Sequence, residues 1–188
     1  MKLTLSQALA ENPIIAAVKD EAGLDRCLRC ESIQVVFLLF GDICSRAGLV
    51  GRVQAAGKLA IVHADLITGL ASKEIAVDYL HRATRADGII STRQSFIHRA
   101  RQLGLYAILR VFVVDSLGLS SLKKLTAPLP DYVDILPGTM PKTLRKICGM
   151  VPCPILAGGL IEDKEDVMLA LDAGATAIST TKAEIWQL

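Results

Sequence analysis

A chain of 188 residues fits one domain, and a domain of this size buries enough surface to hold a core without disulfides or metals. Apolar residues make up 52% and charged residues 21%, which excludes a disordered or fibrous chain. A formal net charge of +2 excludes a strongly basic domain, so any nucleic-acid contact must come from local patches.

No stretch approaches the ~20 apolar residues of a membrane span; the longest run, Val35 to Phe40, suits a buried strand. Met1 to Ala10 carries no signal-peptide pattern, so the expected location is the cytoplasm, with no membrane partner. The five cysteines (Cys27, Cys30, Cys44, Cys148 and Cys153) lack framework spacing. Buried, reduced thiols are expected, with no metal and no cofactor. The high apolar content has two readings, a thick barrel core or a homo-oligomer interface, and composition does not separate them.

In chain order, eight short apolar runs begin near Ile14, Val35, Leu59, Asp87, Tyr106, Tyr132, Pro154 and Thr176. Their starts lie about 23 residues apart, the size of a minimal strand–helix unit. Most runs are continuously apolar, as in Ile14 to Val18 and Val35 to Leu39, which marks strands buried on both faces of a parallel sheet. Helical patterns lie between them. Ser72 precedes Ile75, Ala76, Tyr79 and Leu80; Thr92 precedes Phe96, Ile97, Ala100 and Leu103, with Gly104 as the stop; Asp163 precedes Val167, Ala170 and Leu171, with Gly174 as the stop. Eight such units favour a closed barrel over a doubly wound sheet of five or six strands. The predicted fold is therefore α/β, a compact TIM (β/α)8 barrel, with 1–188 as its single domain. Such barrels usually run to ~250 residues, so some outer helices must be short, most of all 116–125 and 141–148.

In this fold the ligand site is built at the carboxyl ends of the strands. The residues just past each run are Lys19, then Asp42, then His63 and Asp65, then Ser91 to Arg93. Strand 5 carries Arg110, strand 6 carries Asp134 and ends in Pro137-Gly138, and strands 7 and 8 end in Gly158-Gly159 and Ser179-Thr180-Thr181. The last two loops are suited to an oxyanion. Glycine lets backbone N–H groups approach it closely, Ser179 and Thr180 add hydroxyls at the start of an expected last helix, and barrels commonly bind phosphate at these two loops. The plain alternative is that the glycines serve only tight turns. Asp42, Asp65 and Asp115 suit hydroxyls, and Lys19 and Arg110 suit a second anionic oxygen or the neutralisation of those carboxylates. Arg110, buried in an apolar strand, requires a carboxylate partner, with Asp134 and Asp65 as candidates. His63 suits an acid–base or hydrogen-bonding role, or a satisfied place in the core.

From His81 to Arg110 the one acid is Asp87, against Arg82, Arg85, Arg93, Arg99 and Arg101, which makes a candidate RNA-facing surface. Lys142, Arg145 and Lys146 form a second basic group. Aromatic residues for base stacking are scarce.

Several segments resemble the glycerol-uptake operon antiterminators: Val62-His-Ala-Asp-Leu-Ile67, Asp87-Gly-Ile-Ile-Ser-Thr-Arg93, Pro130 to Gly138, Pro154-Ile-Leu-Ala-Gly-Gly-Leu-Ile161, Glu165 to Val167 and Ala173 to Thr181. They fall in order, one per barrel unit, over nearly the whole chain. The resemblance implies a glycerol-3-phosphate-responsive regulator, not an enzyme, that binds the leader mRNA of glycerol-utilisation genes and prevents premature termination. It implies phosphate loops at Gly158, Gly159, Ser179 and Thr180, with the ligand's hydroxyls near His63, Asp65 and Arg110. The chain departs from the family pattern at Asp134, where the family has glutamate, and at Leu109, where it has glutamine. An enzyme acting on a triose phosphate or a glycerophosphodiester is the alternative, with Lys19, Asp42, His63 and Asp65 as its candidate groups.

Overall fold

A computed structural model describes residues 3–188. Eight parallel strands close into one barrel in sequence order. They are β1 (Ile14–Val18), β2 (Val35–Leu38), β3 (Leu59–His63), β4 (Gly88–Ser91), β5 (Tyr106–Phe112), β6 (Tyr132–Leu136), β7 (Ile155–Gly158) and β8 (Ala177–Thr180). Each begins within one residue of its predicted start, and β8 returns to pair with β1, Ala16 opposite Thr180. The expected TIM-barrel architecture is therefore the one observed.

The helices are α1 (Leu5–Glu11), α2 (Glu21–Leu28), α3 (Arg46–Ala55), α4 (Ile75–Thr84), α5 (Gln94–Gln102), α6 (Ser116–Leu122), α7 (Pro141–Cys148) and α8 (Lys164–Asp172). As expected, α6 and α7 are short. Asp163 caps α8 by accepting from the Asp166 amide at 2.9 Å. Two predicted caps differ. Helix α4 starts three residues past Ser72, after Glu74 with no side-chain cap, and the Thr92 side chain donates to Asp65 instead of capping α5. The helix expected after strand 8 is reduced to a 3-10 turn, Ile185–Gln187, so no helix N-terminus lies at Ser179 to Thr181.

Strand alternation sorts the core into two layers. Ile15, Phe37, Ile61, Ile90, Ile108 and Leu156 point into the barrel, while Ala16, Val36, Val62, Ile89, Leu109 and Ala157 face the outer helices. Helix α1, which the periodicity did not disclose, closes the bottom. Its Leu5 and Leu9 pack on the inner layer, worth roughly 2 kcal/mol each, and the Leu5 amide donates to the Tyr106 hydroxyl at 3.1 Å. The Thr4/Gln7 capping box that starts this helix is the signal that marks it in the sequence. With the bottom plugged, the interior opens only at the carboxyl ends of the strands.

Candidate functional site

Two residues beyond the inward apolar residues, the same faces become polar. Ile61 is followed by His63, Ile108 by Arg110, Tyr132 by Asp134, Leu156 by Gly158 and Ala177 by Ser179. The period of two that builds the core thus delivers these side chains to one layer beneath the mouth. Arg110 is 8% exposed and Asp134 fully buried, and Arg110 Nε donates to Asp134 Oδ2 at 2.8 Å. Of the two candidate partners of Arg110, Asp134 is the one engaged. Burial pushes the Asp134 carboxyl up and the Arg110 guanidinium opposes that shift. Its second oxygen, Oδ1, has no partner among the described residues.

Glycine at position 158 is a steric requirement of this pair. A Cβ there would stand 2.5 Å from Ser179 Oγ and 3.0 Å from Asp134 Oδ1. The next two residues, Gly159 (φ 73°) and Leu160 (φ 60°), are both left-handed. For leucine this costs roughly 1–2 kcal/mol, and the side chain is left 68% exposed at the rim. The turn keeps the amides of Gly159 and Leu160 out of the sheet. Among the described residues, those amides and that of Thr181 donate to no acceptor. They border a cavity of about 260 Å³ lined also by Ala17, Leu39, Arg110, Ser179 and Lys182, the last 3.7 Å from Glu162, which lines it too. Thr180 serves the frame: its hydroxyl donates to the Ile161 carbonyl at 2.8 Å and accepts from the Lys182 amide at 3.1 Å.

His63 is 3% exposed. Burial, then the positive charge of Arg110, lowers its pKa from 6.5 to about 4, so it is neutral at physiological pH. Its Nδ1 has no partner among the described residues. Beside it lies Arg46, the first residue of α3, which sequence reading passed over. Arg46 is fully buried, and Nε, Nη1 and Nη2 all lack acceptors among the described residues. Burial, partly offset by Asp42, lowers its pKa to about 10. Every orphaned buried side-chain atom of the described residues therefore belongs to Arg46, His63 or Asp134, all at the mouth end. The one available signal for Arg46 was a basic residue in the first turn of a helix, where the helix dipole disfavours it.

The other expected ligand residues are placed differently. Lys19 is exposed at the end of β1 and does not line the cavity. Asp42 Oδ1 accepts from the Cys44 and Ser45 amides, both at 2.8 Å, and so shapes the turn into α3. Asp65 accepts from Ser91 Oγ at 2.8 Å and from the Thr92 amide at 2.7 Å, tying the β3 and β4 loops together. Burial alone would raise its pKa; these donors outweigh it and hold the carboxyl below its usual value. The Gly138 amide donates to the Gly159 carbonyl at 3.0 Å, so Gly138 braces the β7 loop.

The arginine surface is largely self-paired. Arg99 donates to Asp78, Arg101 to Asp131, and Arg93 lies 3.7 Å from Asp65 while stacking over Phe96 at 5.0 Å. Arg93 opens α5 near the mouth, whereas Arg101 lies about 12 Å along that helix. Arg82 and Arg85 are exposed and make no ion pair within 4 Å among the described residues. All five cysteines are free thiols, Cys27 and Cys153 buried, and no metal-binding group of His, Cys, Asp or Glu exists among the described residues. No helix of the described residues is long and apolar enough to cross a membrane.

Fold and mouth together define a small (β/α)8 barrel whose polar groups converge at the ends of β3 and β5 to β8. Residues 14–186 match the family described as glycerol-3-phosphate responsive antiterminator, and the chain belongs to that family. It is 41% identical over 187 residues to the uncharacterized protein YgcP of Escherichia coli K12, covering 99% of this chain and 97% of that one. Among solved structures it resembles the glycerol uptake operon antiterminator regulatory protein of Listeria monocytogenes, with TM-score 0.88, 32% identity and coverage of 100% and 99% of the two chains. A glycerol uptake operon antiterminator-related protein of Thermotoga maritima matches with TM-score 0.78 and 30% identity, covering 93% of this chain and 98% of that one.

Proposed function

We propose that this chain is a non-catalytic sensor that binds glycerol-3-phosphate, or a similar small phosphorylated ligand, at the barrel mouth and acts on the leader mRNA of glycerol-utilisation genes. The observation that carries the reading is the set of unspent amides of Gly159, Leu160 and Thr181 around a cavity that also holds Arg110. Oriented N–H groups bind an oxyanion without needing a helix dipole, so the loss of the expected last helix removes one contribution and leaves the cradle. Asp134 Oδ1 and His63 Nδ1 lie buried beneath the mouth, outside the cavity lining and without partners among the described residues, and they are the acceptor and adaptable partner that the hydroxyls of a three-carbon ester would meet on reaching that layer. The cavity volume suits a ligand of this size. The family to which the chain belongs supports the regulatory output.

Calorimetry with glycerol-3-phosphate, glycerol and inorganic phosphate tests the ligand. The ester is expected to bind, with glycerol alone failing for lack of the oxyanion. At one hundred times its Kd the ester would add about 2.7 kcal/mol to the folding stability, roughly 5–11 °C in Tm for a chain of this length. A gel shift with the leader of a glycerol-uptake operon, with and without the ester, tests the output. An unchanged Tm at millimolar ester, together with no shift at low salt, would overturn the reading.

A further inference from the structure

The arginines of α4 and α5 are the obvious polyanion surface in the sequence, and the fold spends most of their charge on Asp78, Asp131 and Asp65. The adjacent flank is different. Lys123 and Lys124 end α6, and Lys142, Arg145 and Lys146 lie on α7; all five are exposed. None makes an ion pair within 4 Å among the described residues, although Asp172 stands on the neighbouring α8. No acid occurs at 116–130 or 135–161. The acids bordering these stretches are already engaged. Asp115 caps α6, Asp131 holds Arg101 and the Ala107 amide, Asp134 is buried against Arg110, and Glu162 lies 3.7 Å from Lys182. The C-terminal dipoles of α6 and α7 weaken the field of the nearest cations without removing their charge, and the five side chains carry a formal +5.

The geometry points to the α6–α7 flank, not the α4–α5 arginine face, as the surface that binds RNA. This rests on the reading that the protein acts on RNA. Five unpaired cations on consecutive outer helices form a track for phosphates. Phe112, the last residue of β5 and 54% exposed, shares a pocket with Ser121 of α6 and with Thr92 and Gln94 at the start of α5, and offers a flat face on which an unpaired base can stack. The track also adjoins the ligand site. Helix α7 begins three residues after Gly138, whose amide donates to the Gly159 carbonyl at 3.0 Å, in the loop that presents the oxyanion-facing amides.

The test compares three proteins on the leader RNA of a glycerol-uptake operon, with glycerol-3-phosphate present, at several salt concentrations. They are the wild type, a triple variant Lys142→Gln, Arg145→Gln, Lys146→Gln, and a double variant Arg82→Gln, Arg85→Gln. The triple variant is expected to bind the RNA at least tenfold more weakly at 100 mM salt. Its slope of log affinity against log salt should be shallower by about 2, at ~0.7–0.9 per lost phosphate contact. Its affinity for glycerol-3-phosphate should stay within threefold of wild type, which shows that the barrel is intact. Phe112→Leu should weaken RNA binding without changing the slope. Wild-type affinity and slope in the triple variant, with loss in the Arg82/Arg85 variant, would overturn this inference and leave the function standing. Absence of RNA binding by the wild type would overturn the function itself.

Discussion

Replacing Arg110 by Met keeps the stem of the side chain and removes the counter-charge of a fully buried carboxylate. In the variant Asp134 either stays ionised, at a cost of about 3–5 kcal/mol, or holds a proton. Burial already pushes this carboxyl up, and Arg110 is the group that opposes that push. Its folded pKa then lies above the unfolded value of about 3.9, so the unfolded chain releases a proton that the folded one retains. In the wild type this carboxyl is already raised, so both proteins lose stability together as pH first passes that value; they part above the wild-type folded pKa, which Arg110 keeps below that of the variant, and the difference then grows by at most about 1.4 kcal/mol per pH unit. The expected loss is smaller at pH 5 than at pH 7, and the cost of leaving the buried carboxylate unpaired caps it at about 3–5 kcal/mol. Removing the Arg110 charge also relieves neighbouring His63, which reduces the loss at low pH and so acts in the same direction. Urea denaturation of both proteins at the two pH values measures this, and the double variant Arg110→Met, Asp134→Leu should recover most of the loss. A cost below 1 kcal/mol at pH 7, or one that is equal at pH 5 and pH 7, would refute the argument that these two charges sustain each other.

Four further predictions concern the mouth end of the barrel. His63 is held neutral by burial and Arg110, with a folded pKa of about 4 against 6.5, so its contribution is whole above pH 6.5 and is lost as pH falls toward 4. About 3 kcal/mol should disappear over that window in wild type and much less in His63→Gln, read by denaturation midpoints. Gly158→Ala forces a methyl against Ser179 Oγ and Asp134 Oδ1; it should cost about 1–3 kcal/mol and abolish glycerol-3-phosphate binding in calorimetry. Gly159→Ala meets Leu136 only at 3.3 Å and mainly pays for its left-handed backbone, about 1 kcal/mol. Arg46→Met removes a buried guanidinium without acceptors and should raise the Tm of the free protein; a fall of several degrees would show that Arg46 has a partner in the folded chain.

The barrel was legible because its signals are local. Continuous apolar runs such as Val35 to Leu39 and the Asp163 cap need no knowledge of distant residues, and both appear where the sequence places them. The two-residue step from Ile108 to Arg110 is equally local and carries a charge to the mouth. Pairing was not legible in the same way. Asp65 reads as a ligand-facing acid, and its oxygens are taken by Ser91 and Thr92, 26 and 27 residues away. The arginine surface reads as free charge, and Asp78 and Asp131 reach across from other elements to meet Arg99 and Arg101.

What the sequence determined by itself was the eight-fold alternation, the parallel barrel it closes into, and the list of groups delivered to the mouth, since each depends on periodicity and residue type within a few positions. The tertiary structure alone decided which charges remain unspent. Whether a carboxylate faces a ligand or an arginine depends on angstrom-scale distances between strands remote in the chain, and the free amides of the β7 loop exist because Gly159 and Leu160 turn left-handed against the body of the barrel.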